Sequence, residues 1–179
     1  LTDRAFAGAD TWATAYTLSL AIRRLEYDIV FCGKQAIDGD TAQVGPELAE
    51  NLGIPQITFV KKLEIDPKAR KVVAHRETEE GYEVIESRLP VLLTAIKGLN
   101  EPHLPSLMGI MRASKKEITT MTASELGANV EELGLKGSLT EVVNVFAPEP
   151  RGKGTIVTTQ DPSVAAKKIV EFLQAKAIV

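Results

Sequence analysis

Cysteine is nearly absent from this chain. Cys32 is the single thiol in 179 residues, which excludes an intrachain disulfide and fits a reducing compartment. Histidine is almost as sparse. His75 and His103 have no cysteine or acidic residue at metal-ligand spacing, so each reads as a structural or exposed side chain rather than a ligand. Neither sign of charge dominates: Lys and Arg number 21, Asp and Glu 24, and the net charge is −3. That balance, interspersed along the chain, argues against a general nucleic-acid footprint. No apolar run approaches the roughly 20 residues of a membrane span, so membrane insertion is not expected. The G-x-G-x-x-G and G-x-x-x-x-G-K-[ST] fingerprints are missing, as is a G-x-S-x-G elbow. What is present is ordinary for a globular domain: hydrophobic residues are 44% and charged residues 25%.

The pattern along the chain is α/β. "GADTWATAYTLSLAIRRLE" reads as a helix capped by Asp10 or Thr11, with Trp12, Ala15, Tyr16, Leu18, Ala21, Ile22 and Leu25 as its apolar face. Arg23 and Arg24 are expected in its last turn, where positive charge suits the helix dipole. "DIVFCG" is apolar on consecutive positions, which predicts a short strand buried on both faces. A loop from Lys34 to Asp40 follows, then a short helix holding Pro46 in its first turn and ended by Gly53. The middle changes character. "PQITFVKKLEID", "RKVVAHRETEE", "YEVIESRLP" and "VLLTAIKG" predict successive strands of an antiparallel meander. Glu79 and Glu80 fall in a solvated turn. "NEPHLPSL" is a loop stiffened by Pro102 and Pro105, and "SLMGIMRASKK" looks helical. "TASELG" is a short capped helical turn and "SLTEVVNVFAP" a strand. "EPRGKG" is a flexible link, and "DPSVAAKKIVEFLQAK" closes as an amphipathic helix with Val164, Ile169, Val170, Phe172 and Leu173 on one face. The expected division is a domain over 1–147 and a linker with a helical arm over 148–179.

The stretch "CGKQAIDGDTAQVGPELAENLG" places polar residues and glycines where a strand passes to a helix. In an open α/β sheet, ligands bind beyond the carboxyl ends of strands. Gly33, Gly39 and Gly45 are expected to supply unusual backbone angles and a close approach to the main chain. Free amides at the next helix favour an anion. Thr41 and Gln43 offer uncharged hydrogen bonds. Asp38 and Asp40 would repel phosphate, so they cap turns or meet a sugar or base. Two readings stay open on the residues alone: a nucleotide-phosphate cradle, or an ordinary loop whose glycines turn and whose aspartates cap. Cys32 reads as a small buried hydrophobe rather than a nucleophile, because no cysteine–histidine arrangement accompanies it.

"GKQAIDGDTAQVGPELAENLGIPQ" closely resembles the beta subunit of electron transfer flavoproteins, which carries G-K-Q-A-I-D-x-D, a polar run and a glycine. "AHRETEEGYEVIESRLPVLLTA" resembles that family's basic residue, acidic turn, strand, L-P and apolar strand. "LNEPHLPSLMGIMRASKK" resembles its L-N-E-P-R-x-x-x-L-x-x-I-M-x-A-x-K-K run. These ordered matches span most of residues 1–120. The family's chain is usually longer, and the resemblance implies that roughly its first third, with part of the nucleotide site, precedes Leu1.

The resemblance implies a Rossmann-like adenine-nucleotide-binding sheet with an antiparallel excursion and a C-terminal helical arm packing on an alpha subunit. It implies a nucleotide cradle built by Gly33, Lys34, Gln35, Ala36, Asp38, Thr41, Ala42, Gln43 and Val44. AMP-type subunits read D-D-x-x-N-x-T-G-Q, whereas this chain has Ala42 and Val44 where their phosphate-serving Asn and Thr stand. "LTDRAFAGADT" resembles the NADH-using, bifurcating group, where the helix N-terminus at Asp10 and Thr11 would meet a second nucleotide; the plainer alternative is that Gly8 and Asp10 only start a helix. The favoured expectation is therefore FAD, with AMP as the alternative. Electrons would pass from NADH toward an acyl-CoA dehydrogenase and toward ferredoxin or flavodoxin, in the bacterial cytoplasm. Leu107 matches the leucine with which the family docks its dehydrogenase; the plainer alternative is a core contact of a short helix. A more distant rival is a stress-protein type of adenine-nucleotide module. No side chain reads as an acid–base or covalent catalyst, in keeping with chemistry that belongs to a flavin.

Overall fold

The computed structural model describes residues 1–150, 152 and 154–178. They form two compact units, Leu1–Glu141 and Val142–Val179.

In the first unit, helix α1 (Thr11–Ile22) starts at Asp10, whose backbone is extended and whose carboxylate accepts from the Ala13 amide at 3.0 Å. Its most buried residues are the small ones, Ala13, Ala15, Thr17 and Ser19, rather than the large apolar set expected. Small side chains let the helix pack closely. The buried hydroxyls are satisfied within the helix, Thr17 by the Ala13 carbonyl and Ser19 by the Tyr16 carbonyl, both at 2.8 Å. Leu18 and Ile22 lie half-buried against helix α2 (Val44–Leu52). Arg23 and Arg24 fall just past the last turn instead of in it, because the helix ends at Ile22. The Arg23 guanidinium donates to the Asn51 carbonyl and ties the ends of α1 and α2 together.

Strands β1 (Ile29–Gly33), β2 (Gln56–Asp66), β3 (Lys71–Thr78), β4 (Gly81–Arg88) and β5 (Val91–Ala95) form one sheet in the order β1-β5-β2-β3-β4. β1, β5 and β2 run parallel, and β2, β3 and β4 run antiparallel. The expected meander therefore holds for β2–β4, but β5 leaves it and returns between β1 and β2. The burial expected for β1 on both faces is not found. It is an edge strand, and Phe31 is 53% exposed. Alternation sends Leu92 of β5 toward α1 and α2, with Val30 and Cys32 of β1. Val91 and Leu93 point to the opposite face, where they meet Ile57, Val60, Val72 and Ala74. Gly53, left-handed at φ 70, ends α2 as expected, and Pro46 sits in the first turn.

Beyond the sheet, Ser106 caps α3 (Leu107–Ala113), and Thr122 and Glu125 form a capping box on α4 (Ala123–Leu126). Short 3-10 turns at Arg4–Phe6 and Val130–Glu132 and the single-turn helix α5 (Gly134–Gly137) complete the unit. The strand expected over "SLTEVVNVFAP" does not form; that segment has no regular secondary structure. The link "EPRGKG" falls partly outside the described residues, at Arg151 and Lys153. In the second unit, α6 (Pro162–Ala175) begins at Asp161, with Pro162 in the first helical position. Its apolar residues Val164, Ile169, Val170 and Phe172 are exposed. Among the described residues, no helix is long and apolar enough to cross a membrane.

Candidate nucleotide-binding site

The carboxyl end of β1, the loop that follows it, the amino end of α2 and the amino end of α1 line a cleft of about 640 Å³. That volume lies within the range of small-molecule sites. Gly33, Lys34, Gln35, Ala36, Asp38, Thr41, Ala42, Gln43 and Val44 all line it, and Asp10 and Thr11 complete the wall from α1. The site residues expected from sequence are thus brought together in one place, except Leu107. That residue begins α3, away from the cleft, and is 73% exposed. Leu107 belongs to neither of the buried clusters among the described residues. His75 lies on β3 opposite Lys62 and Val84, and no metal-binding cluster occurs among the described residues.

The loop is held by its own groups. The Lys34 amide donates to the Ala95 carbonyl at 3.0 Å, and the Asp40 amide to the Ala36 carbonyl at 3.0 Å. Asp38 accepts from the Gly39 amide at 2.9 Å, and Asp40 from the Gln35 side chain. Both aspartates therefore serve turns. The left-handed backbone falls on Asp40 (φ 53) and Ala42 (φ 57), not on Gly33, Gly39 or Gly45 as expected. Non-glycine residues held there are strained, and such strain gathers at ligand clamps. Ala42 is followed by Gln43 at φ −91 and ψ −35. A left-handed residue followed by a right-handed one is the backbone pattern of an anion-binding nest.

Helix α2 opens onto the cleft. Gln43 makes no capping bond among the described residues, and Pro46 has no amide hydrogen. The amides of Val44 and Gly45 are left for a ligand or solvent. The glycines divide by use. A Cβ on Gly33 or Gly39 would meet nothing within 4 Å among the described residues, so both face open space. A Cβ on Gly45 would lie 2.6 Å from Thr94 Cγ2, so this glycine seats the helix end on β5.

Two carboxylates at the α1–α2 junction are pushed in opposite directions. Partial burial opposes the charge on Asp10, but the amides of Ala13, Leu139 and Thr140 outweigh it and hold its pKa below the ordinary value. The Leu139 and Thr140 amides reach Asp10 Oδ2 at 2.7 and 3.0 Å, so the carboxylate that caps α1 also clasps the chain after α5. Burial, with Asp10 nearby, pushes Glu47 up against the opposing hydrogen bond from Thr11. Thr11 Oγ1 donates to Glu47 Oε1 at 3.1 Å, while Oε2 is buried without a partner among the described residues. Sequence reasoning missed Glu47, since an acidic residue in a first turn looks like a dipole partner; only its separation from Thr11 by a whole strand hid the contact. Burial also raises the Cys32 thiol, which is half-buried rather than buried as expected and lines the cleft.

A model of the electron transfer flavoprotein domain matches residues 1–126. The chain belongs to the electron transfer flavoprotein family. Within that family it is similar to beta subunits. It is 53% identical over 180 aligned residues to the electron transfer flavoprotein subunit beta of Thermoanaerobacterium thermosaccharolyticum, covering 100% of this chain and 68% of that relative. It is 51% identical to the subunit of the same name from Clostridium acetobutylicum, covering 93% of this chain and 63% of the relative. Similarity extends to the caffeyl-CoA reductase-Etf complex subunit CarD of Acetobacterium woodii, at 44% identity over 100% of this chain and 68% of CarD. This electron transfer flavoprotein chain thus spans about two thirds of the length of these relatives.

Proposed function

We propose that this chain works as the beta subunit of an electron transfer flavoprotein heterodimer. It holds FAD in the cleft at Gly33–Val44 and carries electrons from NADH toward an acyl-CoA dehydrogenase and toward ferredoxin or flavodoxin. The observation that carries the reading is the cleft at the carboxyl end of β1, where the uncapped end of α2 meets the alternating backbone of Ala42 and Gln43.

The residues present fit a dinucleotide. Gly33 and Gly39 leave room for a ligand against the main chain, and Lys34 supplies a cation at the strand end. The amides of Val44 and Gly45 would hold a phosphate oxygen. Thr41 and Gln43 would take sugar or base hydroxyls and amides. FAD would supply what the side chains lack, accepting an electron pair and releasing electrons singly. The chain's own part is to bind, to orient and, with its alpha subunit, to exclude water.

Ala42 and Val44 offer no side-chain hydrogen bond where AMP-type subunits carry Asn and Thr, which favours FAD over AMP. The similarity to a subunit named for a caffeyl-CoA reductase-Etf complex supports a partner acting on CoA thioesters. Exposed Leu107 fits the docking role that its loop implies, and the exposed face of α6 fits packing on the alpha subunit. A bacterial cytoplasmic location goes with this reading.

The test is a count of nucleotides released by denaturing the heterodimer. The expected result is two FAD and no AMP. One FAD with one AMP would replace this reading with a conventional carrier whose beta subunit holds a structural nucleotide.

A further inference from the structure

We propose that Phe59 positions the Lys34 ammonium at the mouth of the cleft, holding its charge in place for a phosphate without neutralising it. The proposal deepens the nucleotide reading of the cleft and rests on it for the ligand's identity.

Strand β2 is irregular at this point. Its pairing with β5 shifts between Ile57 and Val60, and its pairing with β3 shifts between Val60 and Lys62. Phe59, within the first of these shifts, has φ 58. A bulky side chain rarely adopts that backbone, so the bulge is a built feature. The amide it displaces from the ladder is given a dedicated acceptor: Phe59 N–H donates to Thr94 Oγ1 at 2.9 Å. Thr94 is 1% exposed, and its methyl is the group that Gly45 makes room for. One buried threonine thus fixes the bulge and seats the end of α2.

A bulge beside a site re-aims a side chain. Here the ring meets Lys34 Nζ at 5.1 Å from its centroid and the Arg76 guanidinium carbon at 6.0 Å. Both fall within about 6 Å, the reach of a cation over an aromatic face. Arg76 is already fixed. Its Nη2 donates to Thr58 Oγ1 at 2.9 Å, and Nη1 lies 3.4 Å from Glu83. Lys34 is the mobile partner, a point charge on a flexible stem. It takes part in none of the ion pairs found among the described residues. The two acidic residues of its own loop are engaged by the Gly39 amide and the Gln35 side chain. A carboxylate partner would hold Lys34 and cancel its field. A ring holds it and leaves the full positive charge to an incoming anion.

The test uses the heterodimer, stripped of nucleotide. The rate at which an amine-acylating reagent modifies Lys34 is read by peptide mass spectrometry in wild type, Phe59→Leu and Phe59→Tyr. Affinity for ADP is measured in the same proteins and in the Lys34→Met background. Phe59→Leu is expected to raise Lys34 acylation, and to weaken ADP, by roughly two- to fivefold, the scale of an exposed cation–aromatic contact. Phe59→Tyr is expected to stay near wild type. In the Lys34→Met background, Phe59→Leu is expected to leave ADP affinity unchanged. Should Phe59→Leu fold poorly, 3,4,5-trifluorophenylalanine at position 59 keeps the shape, drains the ring's negative face and is expected to act like leucine. Unchanged acylation in the leucine and trifluoro variants overturns the proposal, as does an equal ADP loss with and without Lys34. A wild type that binds no ADP, while Lys34 still responds to Phe59, overturns the nucleotide reading and leaves the positioning intact.

Discussion

At the scale of single residues, the cleft depends on contacts that a list of residue types does not reveal. Gly33, Gly39 and Gly45 look alike in sequence, yet only Gly45 has a neighbour where its side chain would be. Gly45→Ala should destabilise the chain by about 1–3 kcal/mol through overpacking against Thr94. Adding Thr94→Ser removes the opposing methyl and keeps the hydroxyl that serves Phe59, so the double variant should recover part of the loss. Denaturant unfolding of the single and double variants checks this, and simple additivity would show that the methyl is not the obstacle. Glu47 gives a pH-dependent counterpart. Its folded pKa is raised by burial, so the folded state binds its proton more readily than the unfolded state. Its favourable share of stability is present below its ordinary pKa and is lost as pH rises through the folded value. Glu47→Gln keeps the shape without the charge. Its melting temperature relative to wild type should rise from pH 4 to pH 8, and a gap independent of pH would contradict the raised pKa.

At the scale of elements, the helices and strands were legible where local chemistry decides. Asp10 before α1, Gly53 after α2, Thr122 and Glu125 around α4, and Pro162 at α6 mark ends by capping, which is a property of neighbours in sequence. Failures came where partners are distant. "DIVFCG" is as apolar as a central strand, but its place at the sheet edge is set by β5, some sixty residues on. "SLTEVVNVFAP" has the residues of a strand and finds no ladder to join. Its first residues are instead held by Asp10, a contact with no local signature. That clasp is testable. Asp10→Ala removes both the cap of α1 and the acceptor for Leu139 and Thr140, and should cost at least the roughly 0.5–2 kcal/mol of a lost cap. Asp10→Asn keeps one acceptor oxygen and cannot serve Ala13 and the distant amides together. Because the folded pKa of Asp10 is depressed, the clasp's contribution is full above the ordinary value of about 3.9. It is lost as pH falls through the lower folded value. Amide hydrogen exchange at Leu139 and Thr140 should quicken in Asp10→Ala while exchange in β5 does not. Equal quickening in both would mean global destabilisation rather than a local clasp.

At the scale of the whole molecule, the cleft was legible as a location before its geometry was known, because a polar, glycine-bearing run follows a strand. The cradle's strain at Asp40 and Ala42 was not legible, since the sequence marks glycine as the permissive residue and the fold imposes the left-handed backbone elsewhere. The same division holds for surfaces. Leu104, Leu107, Met108, Ile110 and Met111 are all more than half exposed, at 92%, 73%, 61%, 53% and 51%. Apolar side chains gathered this way on one short helix and its approach fit the docking surface proposed above. Removing an exposed side chain leaves no cavity, so Leu107→Ala should change the heterodimer's stability by no more than about 0.5 kcal/mol. Nucleotide content should also be unaffected, because Leu107 lies outside the cleft. If Leu107 is the anchor seated in a dehydrogenase pocket, its loss should behave as a hot spot of about 2 kcal/mol or more, roughly a thirtyfold loss of affinity. The three measurements are the melting temperature, the released nucleotides and the rate of reduction of an acyl-CoA dehydrogenase over a range of its concentrations. A rise in the half-saturating dehydrogenase concentration, with NADH oxidation by an artificial acceptor unchanged, is the expected pattern. Loss of both activities together would place Leu107 in the folding of the subunit, which its exposure argues against.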